Sequence, residues 1–334
     1  LTTTAREYVT WKNERAEGEE TVNGVTVRRF RVERERDLPR FRAVSDLCLY
    51  DDRHTRRDEL EWVELNGPYV PALVRFVRER ADDYDVFVFY SFRYYPAYFG
   101  LLEVAAKSIL VPTAEDEPTI RLEIFREFFA RPAGILFLTP EEKDLVGRTA
   151  AGPLPPDEII GFAVDLPAEL DPGAFMKRRG LTDPFLLYLG RIDRNKGVDG
   201  LFRYFQEYVK WKGREVDLVL GGAEVMPVPK HPRIKTLGFL DDRSKFEALR
   251  ACRLLVMPSA FESLCIVVLE AWRSGRPTLI NGLCKVLRGQ TLRSGGGLYY
   301  YSYGEFCEAL DFLLDNPRIA DALGRTGRDY LAEG

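Results

Sequence analysis

The run Met257-Pro258-Ser259-Ala260-Phe261-Glu262-Ser263-Leu264-Cys265-Ile266-Val267-Val268-Leu269-Glu270-Ala271-Trp272 reads as strand, loop and helix in quick succession. Leu254–Met257 is a short apolar strand, Pro258-Ser259 interrupts it, and a helix is expected from Ser263. Seven residues separate Glu262 from Glu270. Eight positions at about 100° each bring two helical residues within about 80° of one another, roughly two turns apart. Glu262 falls just before the helix. Glu270 falls inside an otherwise apolar stretch, where an ionised carboxylate is costly unless something pairs with it.

Upstream, Leu189-Gly190-Arg191-Ile192-Asp193-Arg194-Asn195-Lys196-Gly197 likewise follows a strand, Phe185–Leu189, and opens a helix from about Val198. Open α/β sheets bind ligands at the carboxyl ends of their strands, and helix N-termini favour anions. Arg191 and Lys196 are two cations at such a mouth, and Gly190 and Gly197 let backbone come close. Around these two units the alternation continues. Strands are expected at Asp217–Leu220, Ile234–Leu237 and Thr278–Ile280, and helices at Asp242–Ala251, Gly304–Leu314 and Pro317–Leu331.

The first half alternates too. Leu1-Thr-Thr-Thr4 reads as the tail of a strand, and Asn23-Gly24 between β-branched runs signals a hairpin. The mixed charges of Arg28 to Arg42 suit a solvated face. Helices are expected at Tyr69–Ala81, Ala97–Lys107 and, with an amphipathic pattern, Thr119–Phe129. Strands are expected at Asp85–Tyr90, which looks buried, at Ile109–Pro112 and at Ile135–Leu138. Thr139 then suits an N-cap, Pro140 the first helical position and Glu142 a capping box. Between Val164 and Pro184 the periodicity fades into Asp, Pro and Gly. The expected division is therefore 1–178 and 179–334, two consecutive α/β sheets. A chain of 334 residues supports two cores.

Composition excludes several classes. The 48 Lys+Arg against 52 Asp+Glu give a net charge of −4, which argues against nucleic acid as the main partner. Five widely spaced cysteines form no C-x-x-C pair, so neither a disulfide framework nor a structural zinc site is expected, and a cytoplasmic location is. Two histidines leave little for mechanisms built on several. No transmembrane segment is expected, since no apolar run reaches about 18 residues. The phosphate loop G-x-x-x-x-G-K-[ST], G-x-G-x-x-G and G-x-S-x-G are all absent. Asp83-Tyr84-Asp85 sits where a helix ends and is read as a solvated turn.

A G-R-x4-K-G motif followed by E-x7-E resembles the retaining family 4 glycosyltransferases, whose GT-B architecture is two Rossmann-like domains facing a cleft. GRIDRNKG, PSAFESLCIVVLEAW, NGLCKVLRGQ and GGLYYYSYGEF carry the resemblance, with LTTTAREYVTWKNE and VPTAEDEP in the first half. They suggest a bacterial enzyme of polysaccharide or related glycan assembly. The resemblance implies that Arg191 and Lys196 hold the donor diphosphate and that Gly190 lies in the same loop. Glu262 would face the donor sugar and Glu270 the ribose. Ser263 and the backbone N–H groups of Leu264, Cys265 and Ile266 would cradle phosphate, and Gly238-Phe239-Leu240 would lie against the base. Glu115 stands where such enzymes often have His, facing the donor sugar from the first domain, and Cys265 where they often have Gly or Ser.

The resemblance further implies a first domain lacking its first strand–helix unit and a C-terminus short of a crossing helix. The function expected is transfer of a hexose-type sugar from a nucleoside-diphosphate-sugar to a hydroxyl acceptor, with retained configuration and no cofactor or metal. A glycan or lipid-linked acceptor and peripheral contact at the inner membrane face go with it. Tyr90-Ser91-Phe92-Arg93-Tyr94-Tyr95 is a candidate lining for the acceptor side. The alternative is a sugar-nucleotide-binding fragment or degenerate relative with little transferase activity. An epimerase on the same plan lacks nameable acid and base groups.

Overall fold

The computed structural model describes residues 1–333, and the chain divides into two compact units, Leu1–Ile160 and Gly161–Gly334. In the first unit β1 (Thr2–Thr3), β2 (Gly18–Val22) and β3 (Val25–Phe30) form one sheet in the order β1-β3-β2. Asn23 and Gly24 have φ of 51° and 80°, so both centres of the β2–β3 turn are left-handed. That is the backbone a tight two-residue hairpin requires. Val22 faces Val25 across it.

The second sheet of this unit is parallel: β4 (Phe87–Tyr90), β5 (Ser108–Val111), β6 (Gly134–Phe137) and β7 (Asp157–Ile159), in chain order. The expectation of a buried Asp85–Tyr90 strand is corrected here. β4 is an edge, with Val88 50% and Tyr90 68% exposed. Apolar composition alone cannot tell an edge strand from a central one. The core lies on the other side, where Phe92, Tyr98, Phe125, Phe128, Phe129 and Phe137 pack together. The expected Thr119–Phe129 helix divides into a 3₁₀ turn, Pro118–Arg121, and a short helix, Glu123–Phe128. Much of the Arg28–Arg42 block stays exposed, although its end opens the helix Leu38–Tyr50.

Helix Pro140–Thr149 starts as its cap predicts, Thr139 Oγ1 accepting from the Glu142 N–H at 3.2 Å. Glu142 does more than close a capping box. Its buried carboxylate accepts from the N–H of Ala114 at 2.6 Å and of Leu138 at 2.7 Å. It thereby ties the loop after β5 to the start of this helix. Burial pushes the Glu142 carboxyl up to about 7, against the pull of these N–H groups.

The second unit holds one six-stranded parallel sheet. Its strands are β8 (Phe185–Leu189), β9 (Asp217–Gly221), β10 (Ile234–Thr236), β11 (Leu254–Met257), β12 (Thr278–Asn281) and β13 (Gly297–Tyr300). The order is β10-β9-β8-β11-β12-β13. Counted from β8 this is 3-2-1-4-5-6, the order of dinucleotide-binding folds, and the strand order reverses between β8 and β11. β13 and the helix Lys285–Ser294 before it add to the sequence reading. The contact division falls ahead of the expected 178/179 boundary. Helix Pro172–Arg179 packs on helix Asp242–Ala251 of the second unit, and Arg178 pairs with the buried Glu247 at 2.6 Å.

Candidate functional site

The switch point places two loops side by side. The first leaves β8 at Gly190 and runs through Arg191 to a 3₁₀ turn, Arg194–Lys196, before helix Val198–Lys212. Asp193 organises it, accepting from the Asn195 N–H at 3.0 Å and pairing with Arg191 at 3.3 Å. Tyr188 Oη donates to the Arg191 carbonyl at 2.6 Å, and burial pushes the Tyr188 phenol well up. Gly197 has φ 72°, and a Cβ there would stand 2.5 Å from the Pro258 carbonyl at the end of β11. Only glycine lets the two loops approach so closely. Gly222, after β9, is tighter still: φ is 141°, and its Cβ would meet the Gly190 carbonyl at 1.9 Å.

The second loop leaves β11 at Pro258. Asn281 Nδ2 donates to the Pro258 carbonyl at 2.9 Å, and Gln290 Nε2 to the Leu264 carbonyl at 2.6 Å. Both ends of the loop are thus pinned, one by β12 and one by the helix Lys285–Ser294 that follows it. The helix begins at Ile266 and runs to Arg273. This corrects the expected start at Ser263, because Ser263 and Leu264 are still loop and Cys265 is left-handed at φ 63°. A non-glycine residue there is strained, and the Cys265 thiol is pushed well up by burial. The site is therefore a strained turn feeding a helix N-terminus.

Lys196 Nζ lies 2.8 Å from Glu262 Oε1, both side chains largely shielded. This bond directly joins predicted charges of the two loops. Glu270 answers to a different cation. It is 7% exposed within helix Ile266–Arg273, and its Oε1 lies 2.6 Å from Lys245 Nζ on helix Asp242–Ala251. Burial raises the Glu270 carboxyl and the Lys245 hydrogen bond pulls it back. Lys245 was not singled out by the sequence; the only signal was that a buried Glu270 needs some cation. Gly238 is left-handed at φ 66°, Phe239 is 86% exposed and Leu240 is buried. A large aromatic side chain thus stands in solvent beyond β10.

Glu115 lies in the first unit, in the loop after β5. Arg93, in the loop after β4, reaches it at 3.7 Å and pairs more closely with Glu117. Burial opposes the Arg93 charge, but Glu117, Tyr94 and Glu115 hold the guanidinium protonated. Ser91 and Thr113, at the starts of these loops, are left-handed at φ 67° and 48°. Within Tyr90–Tyr95, Phe92 and Tyr95 belong to the core rather than to an open surface. Among the described residues no group of three His, Cys, Asp or Glu is placed to hold a metal ion. No helix among them is long and apolar enough to cross a membrane.

Residues 183–316 match the family described as Glycosyl transferases group 1. The chain is 27% identical over 222 residues to alpha-D-kanosaminyltransferase of Streptomyces kanamyceticus, covering 59% of this chain and 55% of that protein. The chain thus spans about half the length of the curated relative it matches. Sucrose-phosphate synthase of Thermosynechococcus elongatus superposes with a TM-score of 0.69 at 14% identity, over 96% of this chain and 82% of that one. Anabaena HepE in complex with UDP and glucose gives 0.65 at 14% identity, over 79% and 77%. The chain has the GT-B fold of these glycosyltransferases, and its second unit carries the glycosyl transferases group 1 sequence signature.

Proposed function

We propose that the chain is a retaining glycosyltransferase that moves a hexose-type sugar from a nucleoside-diphosphate donor to a hydroxyl acceptor. The observation that carries this reading is the junction of two loops at the switch point of the second sheet. It puts the Arg191 and Lys196 loop against the loop that opens helix Ile266–Arg273. Cations, a helix start and close backbone suit a diphosphate. Lys196 is held by Glu262 at 2.8 Å, so an arriving phosphate competes for it and leaves Glu262 to accept from sugar hydroxyls. Glu270 accepts from the ribose, and the Gly238-Phe239-Leu240 loop offers an exposed ring to the base. The N–H groups of Leu264, Cys265 and Ile266 face phosphate oxygens, and Glu115 offers a hydroxyl acceptor in the first unit.

In the reaction the bond from the anomeric carbon to the diphosphate oxygen breaks. The acceptor oxygen bonds to that carbon on the same face, and the acceptor proton passes to the departing phosphate. Stabilising the developing diphosphate charge is the largest task, and Arg191 and Lys196 supply it without a metal. The UDP-bound relative supports a uridine nucleotide as the first donor to try. WaaG, a glycosyltransferase involved in lipopolysaccharide biosynthesis with a TM-score of 0.51 at 19% identity, supports a glycan or lipid-linked acceptor. Incubation with a panel of nucleotide sugars, following nucleoside diphosphate release and the anomeric proton of the product, tests the reading. A product of inverted configuration rejects retention, and no binding of any nucleoside diphosphate rejects the whole.

A further inference from the structure

Glu270 is buried, yet the function proposed above needs its carboxylate as an acceptor for ribose hydroxyls. The structure gives it one cation. Lys245 Nζ lies 2.6 Å from Glu270 Oε1 and 3.1 Å from Asp242 Oδ1, and it also sits 5.0 Å from the Phe246 ring centre. Lys245 and Glu270 line one groove of about 320 Å³ with Asp242, Phe246, Ile266 and the segment 162–167. Apolar walls beside a carboxylate are the lining a sugar ring with adjacent hydroxyls fits.

Resting on that reading, we propose that Lys245 is a positioning residue for nucleoside recognition: it ties Oε1 of Glu270, orients Oε2 toward hydroxyls in the groove, and keeps the carboxylate in its accepting form. Burial favours the neutral acid, which accepts less well, and Lys245 opposes it, while Asp242 adds to the burial effect. Lys245 stays charged against its own burial because Glu270 and Asp242 hold its proton. The charged groups on this groove are Lys245 and Asp242 from helix Asp242–Ala251 and Asp165 from the segment 162–167. Strands β11 and β12 and helix Pro317–Glu333, which also pack on helix Ile266–Arg273, add none to it among the described residues. Removing Lys245 therefore raises the pH at which Glu270 takes up a proton. Nucleoside affinity then begins to fall at a higher pH than in the wild type.

The test is calorimetry of the whole chain with uridine diphosphate and with inorganic pyrophosphate, at pH 8 and pH 6. Lys245→Met is expected to weaken uridine diphosphate by about 10-fold at pH 8, the worth of one hydrogen bond to a charged group. The loss grows at pH 6, pyrophosphate binding stays within about 2-fold, and Lys245→Arg restores most of the affinity. The diphosphate's own titration is common to both proteins and cancels in their ratio. Carbon-13 NMR of the Glu270 carboxyl, which needs no nucleotide, is expected to show a raised midpoint in Lys245→Met. Equal or tighter uridine diphosphate binding by Lys245→Met overturns the proposal and makes Lys245 a plug that the ligand displaces. Parallel loss of pyrophosphate binding, or an unmoved Glu270 midpoint, overturns it as well. If the wild type binds no uridine diphosphate the functional reading fails, and the Glu270 titration alone decides whether Lys245 governs that carboxylate.

Discussion

In the second unit six strands share one parallel sheet, and two of its loops meet at the reversal of strand order. In the first unit seven strands are divided between a three-stranded and a four-stranded sheet, and β4 lies at an open edge. The loops that follow parallel strands differ as much in charge. After β8 and β11 they set two cations against two carboxylates, Arg191 beside Asp193 and Lys196 beside Glu262. After β4 and β5 they bring one cation, Arg93, to two carboxylates, Glu115 and Glu117. A helix start flanked by cations suits phosphate, whereas carboxylates suit hydroxyls. The same strand–loop–helix grammar thus balances cations with carboxylates in one unit and leaves carboxylates in excess around Arg93 in the other. Glu115 does not stand there as a bare negative charge, because Arg93 shares it.

The sharpest way to break this contrast is Glu262→Ala. Turnover is expected to fall about 10²–10³-fold, the usual cost of losing one preorganised partner in the transition state. Uridine diphosphate affinity should hold or rise, because Lys196 is released. Steady-state rates with calorimetry decide it, and a parallel loss of diphosphate affinity would make Glu262 part of the phosphate site.

The next effect belongs to the first unit. Glu142 has its carboxyl raised from 4.5 to about 7 by burial, so the folded unit prefers it protonated. Stability from this group is full below about 4.5, is lost as pH rises through 7, and is then flat. The loss is on the order of 3 kcal/mol. Chemical denaturation across pH 4 to 8 should show this slope in the wild type and a flatter curve in Glu142→Gln. Equal slopes in the two proteins would assign the pH dependence elsewhere.

Arg191→Ala and Lys196→Ala are each expected to weaken uridine diphosphate by about 1.5–3 kcal/mol, the range for hydrogen bonds to charged groups. Arg93→Lys in the first unit should leave that affinity unchanged. Comparable losses from Arg93 would erase the electrostatic distinction between the units. The smallest effect expected is Thr139→Ala, about 1 kcal/mol of first-unit stability for a lost cap, read in the same denaturation experiment and with no change in nucleotide binding.

Much of the second unit was legible from residues alone. Helix Asp242–Ala251 and strands β8 and β11 match their expected bounds, because apolar runs broken by Pro, Gly and Asp are local signals. The hairpin at Asn23-Gly24 and the cap at Thr139 were legible for the same reason. β13, Gly297–Tyr300, was masked by the glycine run Gly295-Gly296-Gly297 that opens it, and the start of helix Ile266–Arg273 was displaced by a left-handed Cys265 that no spacing announces.

What the sequence determined by itself was periodicity, caps, turns and the residue types gathered near strand ends, since these depend on neighbours along the chain. Tertiary structure alone decided which strand became an edge and which loops met. It also decided which partner each charge received. The Lys196–Glu262 pair spans 66 positions and the Lys245–Glu270 pair spans 25. Such pairings are set by strand order and by how closely two loops pack, through glycines such as Gly197 whose reason lies in a carbonyl far along the chain. Burial completes them, because removing a carboxylate from water makes its one cation indispensable.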